Sequence, residues 1–179
     1  MTNRQIVFLD FDGVLHPQLT SISELFGRLP LFEEWLVARL QVDVVISSSW
    51  RMAYDLEELR SFFSESLRSR VVDVTPAGAD ASGAREHQIR SWLQANAHGA
   101  AWIAFDDSAW LFAGTERLVL CSPDLGLQTQ NLDEADRLLL LPAEHAVPVR
   151  AQAHPLSVVA TALTLIGITN LDEPGQKER

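Results

Sequence analysis

Two carboxylates close an apolar run near the start of the chain: Ile6-Val7-Phe8-Leu9 is followed by Asp10, Phe11, Asp12 and Gly13. The run has the length and character of a strand buried in a parallel sheet. Asp10 and Asp12 then leave its C-terminal end, where Gly13 permits a sharp turn. Open α/β sheets bind their ligands at that edge. Two like charges placed there do nothing for packing, so a metal or a reaction has to account for them.

A second acidic pair strengthens the case. Trp102-Ile103-Ala104-Phe105 is another apolar run, and it ends in Asp106 and Asp107. Strands of one parallel sheet point the same way, so both acidic ends can meet at one rim. At about 4 Å and an effective dielectric of about 20, each carboxylate pair repels by about 4 kcal/mol. Several such pairs need a compensating cation, and all-oxygen ligands favour a hard divalent ion, Mg²⁺ above others.

Between these runs lies Val42 to Ile46, which ends in Ser47-Ser48-Ser49-Trp50-Arg51. It brings hydroxyls, backbone N–H groups at a helix start and a guanidinium to the same rim, a suitable surface for phosphate. Arg85 opens the amphipathic segment 86–97 and can supply a further positive charge. Lys177, in the polar tail, is the only lysine. Any cation on the substrate must therefore be an arginine.

The elements that would position these groups alternate regularly. Strand-like runs at 6–9, 42–46, 71–74, 102–105 and 118–121 are interleaved with helical patterns at 31–40, 55–68, 86–97 and 131–141. Such alternation predicts βαβ units and an α/β fold with a parallel sheet covered on both faces. In 55–68 the apolar side is Leu56, Leu59, Phe62, Phe63 and Leu67; in 86–97 it is Ile89, Trp92 and Leu93. Both are ordinary core faces. Residues 75–84 form a small-residue loop leading to Arg85. The stretch 143–155, rich in Pro and Ala, breaks helical periodicity. An apolar segment at 155–166 is expected to pack as an edge helix or to join a homodimer contact, and 170–179 is a polar tail.

With 179 residues and 47% hydrophobic content, one domain is expected, a catalytic core over 1–142 with 143–179 as its C-terminal extension. No apolar stretch approaches the roughly 18 residues needed to cross a bilayer. The first residues run straight into a strand, so no signal peptide is expected. Cys121 is the single cysteine, which excludes an internal disulfide and fits a reducing cytoplasm. The net charge of −10 argues against a broad nucleic-acid-binding surface. It leaves an anionic substrate open, because a metal's local field can oppose the global one.

Acid, hydroxyl, base, acid, in that order along the chain, resembles the haloacid dehalogenase (HAD) superfamily of phosphotransferases. Asp10-Phe11-Asp12-Gly13-Val14 is similar to its first motif, in which the first Asp is the nucleophile and the second the general acid/base. Ser47 or Ser48 matches the hydroxyl of the second motif, with Ser48 favoured. Arg85 stands where the third-motif Lys/Arg is expected, and Asp106-Asp107 resembles the fourth motif in its adjacent-Asp form. The resemblance covers residues 5 to about 140. Ser48-Ser49-Trp50-Arg51 and Leu125-Gly126-Leu127 further resemble a small, cap-poor branch, some of whose members occur in RNA-repair proteins.

The resemblance implies a HAD-like Rossmannoid three-layer sandwich with a minimal cap or none, since 15–30 is short and 50–84 is mostly consumed by one helix and one strand. An open site suits a bulky substrate, such as a nucleic-acid end, and equally a small phosphorylated molecule if a partner subunit closes over it. Asp10 would attack phosphorus to form an aspartyl-phosphate; Asp12 would protonate the leaving oxygen and then deprotonate water. Mg²⁺ would be held by Asp10, the backbone carbonyl of Asp12 and Asp106, with Asp107 acting through water. Ser48 and Arg85 would bind phosphoryl oxygens, with Ser47 and Arg51 as further candidates. An Asp at position 12 is similar to phosphatases and mutases rather than dehalogenases or P-type pumps.

Plainer readings compete at each position. Asp10-Phe11-Asp12-Gly13 can be a strand-to-turn junction, Asp106-Asp107-Ser108 and Ser47 to Ser49 can cap helices, and Arg51 and Arg85 are by default solvated. The five histidines, at 16, 87, 98, 145 and 154, lack paired ligand spacing, which argues against zinc. His16 is read as a hydrogen-bonded loop residue or as lining the pocket mouth; Trp50 and Trp110 as packing or as stacking on a base. A phosphoacceptor receiver domain has the acidic pair and the acceptor in the opposite order and needs a lysine, so it is rejected. The non-enzymatic alternative is a silent HAD-like binding module, and among enzymes a nucleotidase, a phosphomutase or a nucleic-acid end phosphatase remains open.

Overall fold

In the computed structural model, the described residues are 4–78 and 81–141. The chain divides into two units, Met1–Ala146 and Val147–Arg179, and the described residues all belong to the first. The edge helix and polar tail expected beyond residue 142 lie outside them.

Runs of Val, Ile, Leu and Phe form the strands β1 (Gln5–Leu9), β2 (Val42–Ile46), β3 (Val71–Val74), β4 (Ala101–Asp106) and β5 (Leu118–Leu120). They pair in parallel in the order β3-β2-β1-β4-β5. Ile6, Val7, Phe8 and Leu9 of central β1 are all fully buried. A strand flanked on both edges and covered on both faces tolerates no polar side chain in its interior, so its first acid can appear only where it ends.

Four helices cover the faces: α1 (Leu29–Val37), α2 (Leu56–Ser61), α3 (Ala84–Asn96) and α4 (Thr129–Leu139). Val7, Leu9, Val44, Ile46 and Phe105 share one core with Leu36 of α1, Leu59 of α2 and Leu132 of α4. Ile6, Phe8, Val45 and Ala104 pack on the other face with Ile89 and Trp92 of α3. The result is the expected α/β three-layer sandwich. Among the described residues, the segments between strands hold single helices and short 3-10 turns, with no inserted cap.

The expected helix over 55–68 is broken. After α2 the chain leaves helical geometry and re-forms as a 3-10 turn at Glu65–Arg70. Two adjacent aromatics cause this. Phe63 is buried beside Phe11, with ring centroids 6.4 Å apart, while Phe62 stacks on Phe26 at 4.7 Å. Ser61 Oγ donates back to the Glu58 carbonyl at 2.6 Å, and the Ser64 N–H donates to Glu33 Oε1 at 2.6 Å. Tertiary packing outweighs the apolar periodicity that a single longer helix would have satisfied.

Candidate active site

Parallel pairing places the chemistry at one rim. Leu9 is in register with Ile46 on one side and Phe105 on the other, so Asp10, Ser47 and Asp106 stand level at the ends of three neighbouring strands. Ile46 in turn pairs with Val74, which puts Thr75 level with Ser47. The ladder continues past the strand ends: the Asp10 N–H donates to the Phe105 carbonyl, Ser47 N–H to Leu9, and Thr75 N–H to Ile46. By strand alternation, these four residues lie on the face covered by α3.

The acids converge. Carboxylate oxygens of Asp10, Asp106 and Asp107 lie within 4.8 Å of one another. Asp10 and Asp106 are buried. Gly13, at φ +68°, turns the chain past them, and a Cβ there would overlap the Asp107 carboxylate. The turn thus requires glycine twice, for its backbone conformation and for the room Asp107 occupies. Ser108 contributes locally: its N–H donates to Asp106 Oδ1 at 2.9 Å and its Oγ to Asp107 Oδ1 at 2.8 Å.

Arg85, expected by default at the surface, is 5% exposed. It lies in the first turn of α3, behind Gly83 at φ +76°. Its Nη1 donates to Asp106 Oδ2 at 2.8 Å and lies 3.2 Å from Asp10 Oδ2. One guanidinium among three carboxylates leaves the cluster net negative. Burial first, and then the charge of Asp10, push the Asp106 carboxyl from 3.8 up to about 7, against the opposing pull of Arg85. Asp107 is raised as well, chiefly by burial. Cys121, whose N–H donates to the Asp106 carbonyl, has its thiol pushed up to about 12 by burial and then by the three acids. It is therefore no nucleophile at neutral pH.

The three serines after β2 do different things. Ser48 Oγ accepts the Trp50 N–H at 3.4 Å and caps the 3-10 turn Ser49–Met52, which is the plain capping role. Ser47 Oγ and Thr75 Oγ1 are buried and have no hydrogen-bond partner among the described residues. Arg51 bonds to backbone carbonyls and to Gln88. Its Nη1 donates to the carbonyls of Ser47 (2.7 Å) and Ser48 (2.6 Å), its Nε to Thr75 and its Nη2 to Gln88 Oε1. The guanidinium ties the loops after β2 and β3 together.

Asp12 stands apart from the other acids. Its Oδ1 is 3.1 Å from His16 Nε2, and its Oδ2 accepts the indole N–H of Trp50 at 2.9 Å. His16 is 1% exposed, and its Nδ1 accepts the Phe26 N–H at 3.4 Å. Phe26, at φ +60°, is the one non-glycine residue in the left-handed region among those described. For an aromatic side chain that conformation costs on the order of 1–3 kcal/mol and persists where surroundings dictate it. Its ring packs among Phe11, Trp50, Phe62 and His16. The sequence drew attention to His16 and Trp50 without linking either to Asp12. The four-residue spacing of Asp12 and His16 across the Gly13 turn was the available signal for the first; nothing local marks the second. Trp110 is 56% exposed.

The donor set fits a hard divalent cation. Asp10, Asp106 and Asp107 offer only oxygen, are close enough to share one ion, and carry more negative charge than Arg85 balances. Asp106 links this site to pH. Its raised pKa means that the proton stabilises the folded state fully below about 3.8, and that this contribution is lost as pH rises through about 7. An ion must displace that proton at low pH and need not at high pH. The gain in Tm on adding Mg²⁺ to EDTA-treated protein is therefore expected to grow between about pH 5.5 and about pH 8. A gain that stays level over this range would remove Asp106 from the metal site.

A parallel five-stranded α/β sheet with paired acids at the ends of β1 and β4 defines a HAD-superfamily domain. The model of one family in it, the HAD domain in Swiss Army Knife RNA repair proteins, matches residues 6–132, and the chain belongs to that family. Comparison with the curated proteins and with the solved structures gives no match. Membership suggests a phosphatase-type hydrolase or a role in RNA repair. No helix among the described residues is long and apolar enough to cross a membrane.

Proposed function

We propose that this domain is a Mg²⁺-dependent phosphomonoester hydrolase that works through an aspartyl-phosphate on Asp10, within a reducing cytoplasm. The observation that supports it is the division of the acids: Asp10, Asp106 and Asp107 form one cluster, while Asp12 is held outside it by two N–H groups. A catalyst of phosphoryl transfer needs both a cation-bound nucleophile and a separate proton carrier.

When bound among Asp10, Asp106 and Asp107, Mg²⁺ would keep Asp10 ionised and offset charge on the transferring group. In the first step an Asp10 carboxylate oxygen forms a bond to phosphorus as the bond to the leaving oxygen breaks. Protonated Asp12 gives its proton to that oxygen, releasing an alcohol. In the second step Asp12 carboxylate takes a proton from water, whose oxygen bonds to phosphorus. The acyl phosphate bond breaks, and inorganic phosphate and Asp10 carboxylate result. Ser47, level with Asp10 and with an unpartnered hydroxyl, is the second-motif residue in this reading, whereas Ser48 is spent on capping. A buried polar atom without a partner is costly, and a phosphoryl oxygen would satisfy it.

The family description and a rim with no inserted cap among the described residues favour a phosphorylated RNA end as substrate over a small metabolite. A panel of 3′- and 5′-phosphorylated oligoribonucleotides, mononucleotides and sugar phosphates, with Mg²⁺ or EDTA, tests this. Expected is phosphate release that requires Mg²⁺ and is fastest from one type of RNA end. A domain that releases no phosphate from any of them in Mg²⁺ is the silent binding module instead.

A further inference from the structure

We infer that Trp50 and His16 are positioning residues that set the acid/base carboxyl of Asp12 and keep it out of the metal cluster; this rests on the hydrolase reading above. Asp12 lies two residues from Asp10 at a rim built to gather carboxylates, and its side chain is 40% exposed. A free carboxylate there would be drawn toward any cation held by its neighbours, and its rotamer would wander. Instead each of its oxygens accepts one N–H, from His16 at 3.1 Å and from Trp50 at 2.9 Å.

Both donors are themselves fixed. The Phe26 N–H donates to His16 Nδ1, which leaves the ring hydrogen on Nε2, facing Asp12. Trp50 is locked by edge contacts to Phe11 at 5.7 Å and Phe26 at 5.4 Å, and Tyr54 stacks on it at 5.5 Å. Its backbone N–H is held by Ser48 Oγ. Among the described residues neither ring hydrogen-bonds to Asp10, Asp106 or Asp107, so a purely structural duty would affect both chemical steps and all substrates alike. A positioning duty is selective, because a proton carrier matters only where the leaving group needs a proton.

The test compares an alkyl phosphate with 2,4-dinitrophenyl phosphate, using full-length protein in Mg²⁺. Trp50→Phe keeps a ring in the aromatic cluster and deletes the N–H; His16→Gln is the independent second variant, and thermal melts report the fold of each. Expected is a fall in kcat on the alkyl phosphate by about 10- to 100-fold, a fraction of a full general-acid effect, with KM little changed. The first turnover of the dinitrophenyl ester, whose leaving group needs no proton, should be nearly unchanged. Release of dinitrophenolate should then show a burst equal to the enzyme concentration, since the water step still needs Asp12. Equal losses in the first-turnover rate of both esters in folded variants overturn the inference. Asp12→Asn serves as the reference: if it too shows no dependence on the leaving group, the hydrolase mechanism fails rather than the positioning.

Discussion

Replacing Asp10 by Asn abolishes turnover, by about a thousand-fold or more, and leaves a folded protein. The amide is nearly isosteric and can still accept the Phe11 N–H, which Asp10 Oδ1 receives at 2.8 Å. It cannot supply the anionic oxygen that attacks phosphorus. The same change removes one of three clustered negative charges, the second cause of the raised Asp106 carboxyl, while Arg85 keeps its 2.8 Å contact with Asp106. The variant should therefore melt at or above the wild-type temperature in EDTA, and gain less than wild type from Mg²⁺. Opposite movement of activity and stability is the mark of a residue retained for chemistry. Steady-state phosphate release and thermal melts measure both. Retained turnover would remove Asp10 as the nucleophile, and a collapsed fold would make its role structural.

The parts of this arrangement that could be read from the sequence are those in which composition changes abruptly. Asp10 and Asp106 each end a run too apolar to be anything but a buried strand, and a parallel sheet leaves such ends at one rim. Strand boundaries therefore followed closely, and with them the meeting of the acids. Boundaries set by local chemistry drifted a little: α3 begins at Ala84 because Gly83 takes the left-handed conformation that precedes it, two residues before the expected start at 86.

What could not be read depends on which neighbour a side chain finds. Ser47 and Ser48 are chemically identical, and only the register of Leu9 with Ile46 makes one level with Asp10 and the other a cap. Arg51 follows the hydroxyls as a substrate cation would, yet its donors meet the carbonyls of Ser47, Ser48 and Thr75. The break after α2 is written in Phe62 and Phe63 only once Phe11 and Phe26 are known to receive them. Trp50 is 38 residues from Asp12, and no spacing rule links them. Contacts of this kind arise from tertiary packing, which local pattern does not encode.

Arg85→Gln should lower stability by about 3–5 kcal/mol at slightly alkaline pH in EDTA, the usual cost of removing one partner from a buried ion pair. Arg85 is buried and bridges Asp10 and Asp106, so its loss leaves buried acids with no opposing charge from that side chain. Protonation offers them relief. Asp106 already binds a proton up to about 7, and without the guanidinium it should do so to higher pH still. The deficit of the variant is therefore smallest in mild acid, where the proton replaces the lost charge, and widens as pH rises through and beyond neutrality. Mg²⁺ is a second replacement. It should restore more stability to the variant than to wild type, because it adds positive charge to a cluster that has lost its own. Activity should stay depressed even in saturating Mg²⁺ if the guanidinium also orients Asp10 for attack, and Arg85→Lys should recover part of it. Urea unfolding at two pH values, each with Mg²⁺ and with EDTA, separates these effects. A variant as stable as wild type in alkaline EDTA would show that the three carboxylates do not depend on Arg85 for their coexistence.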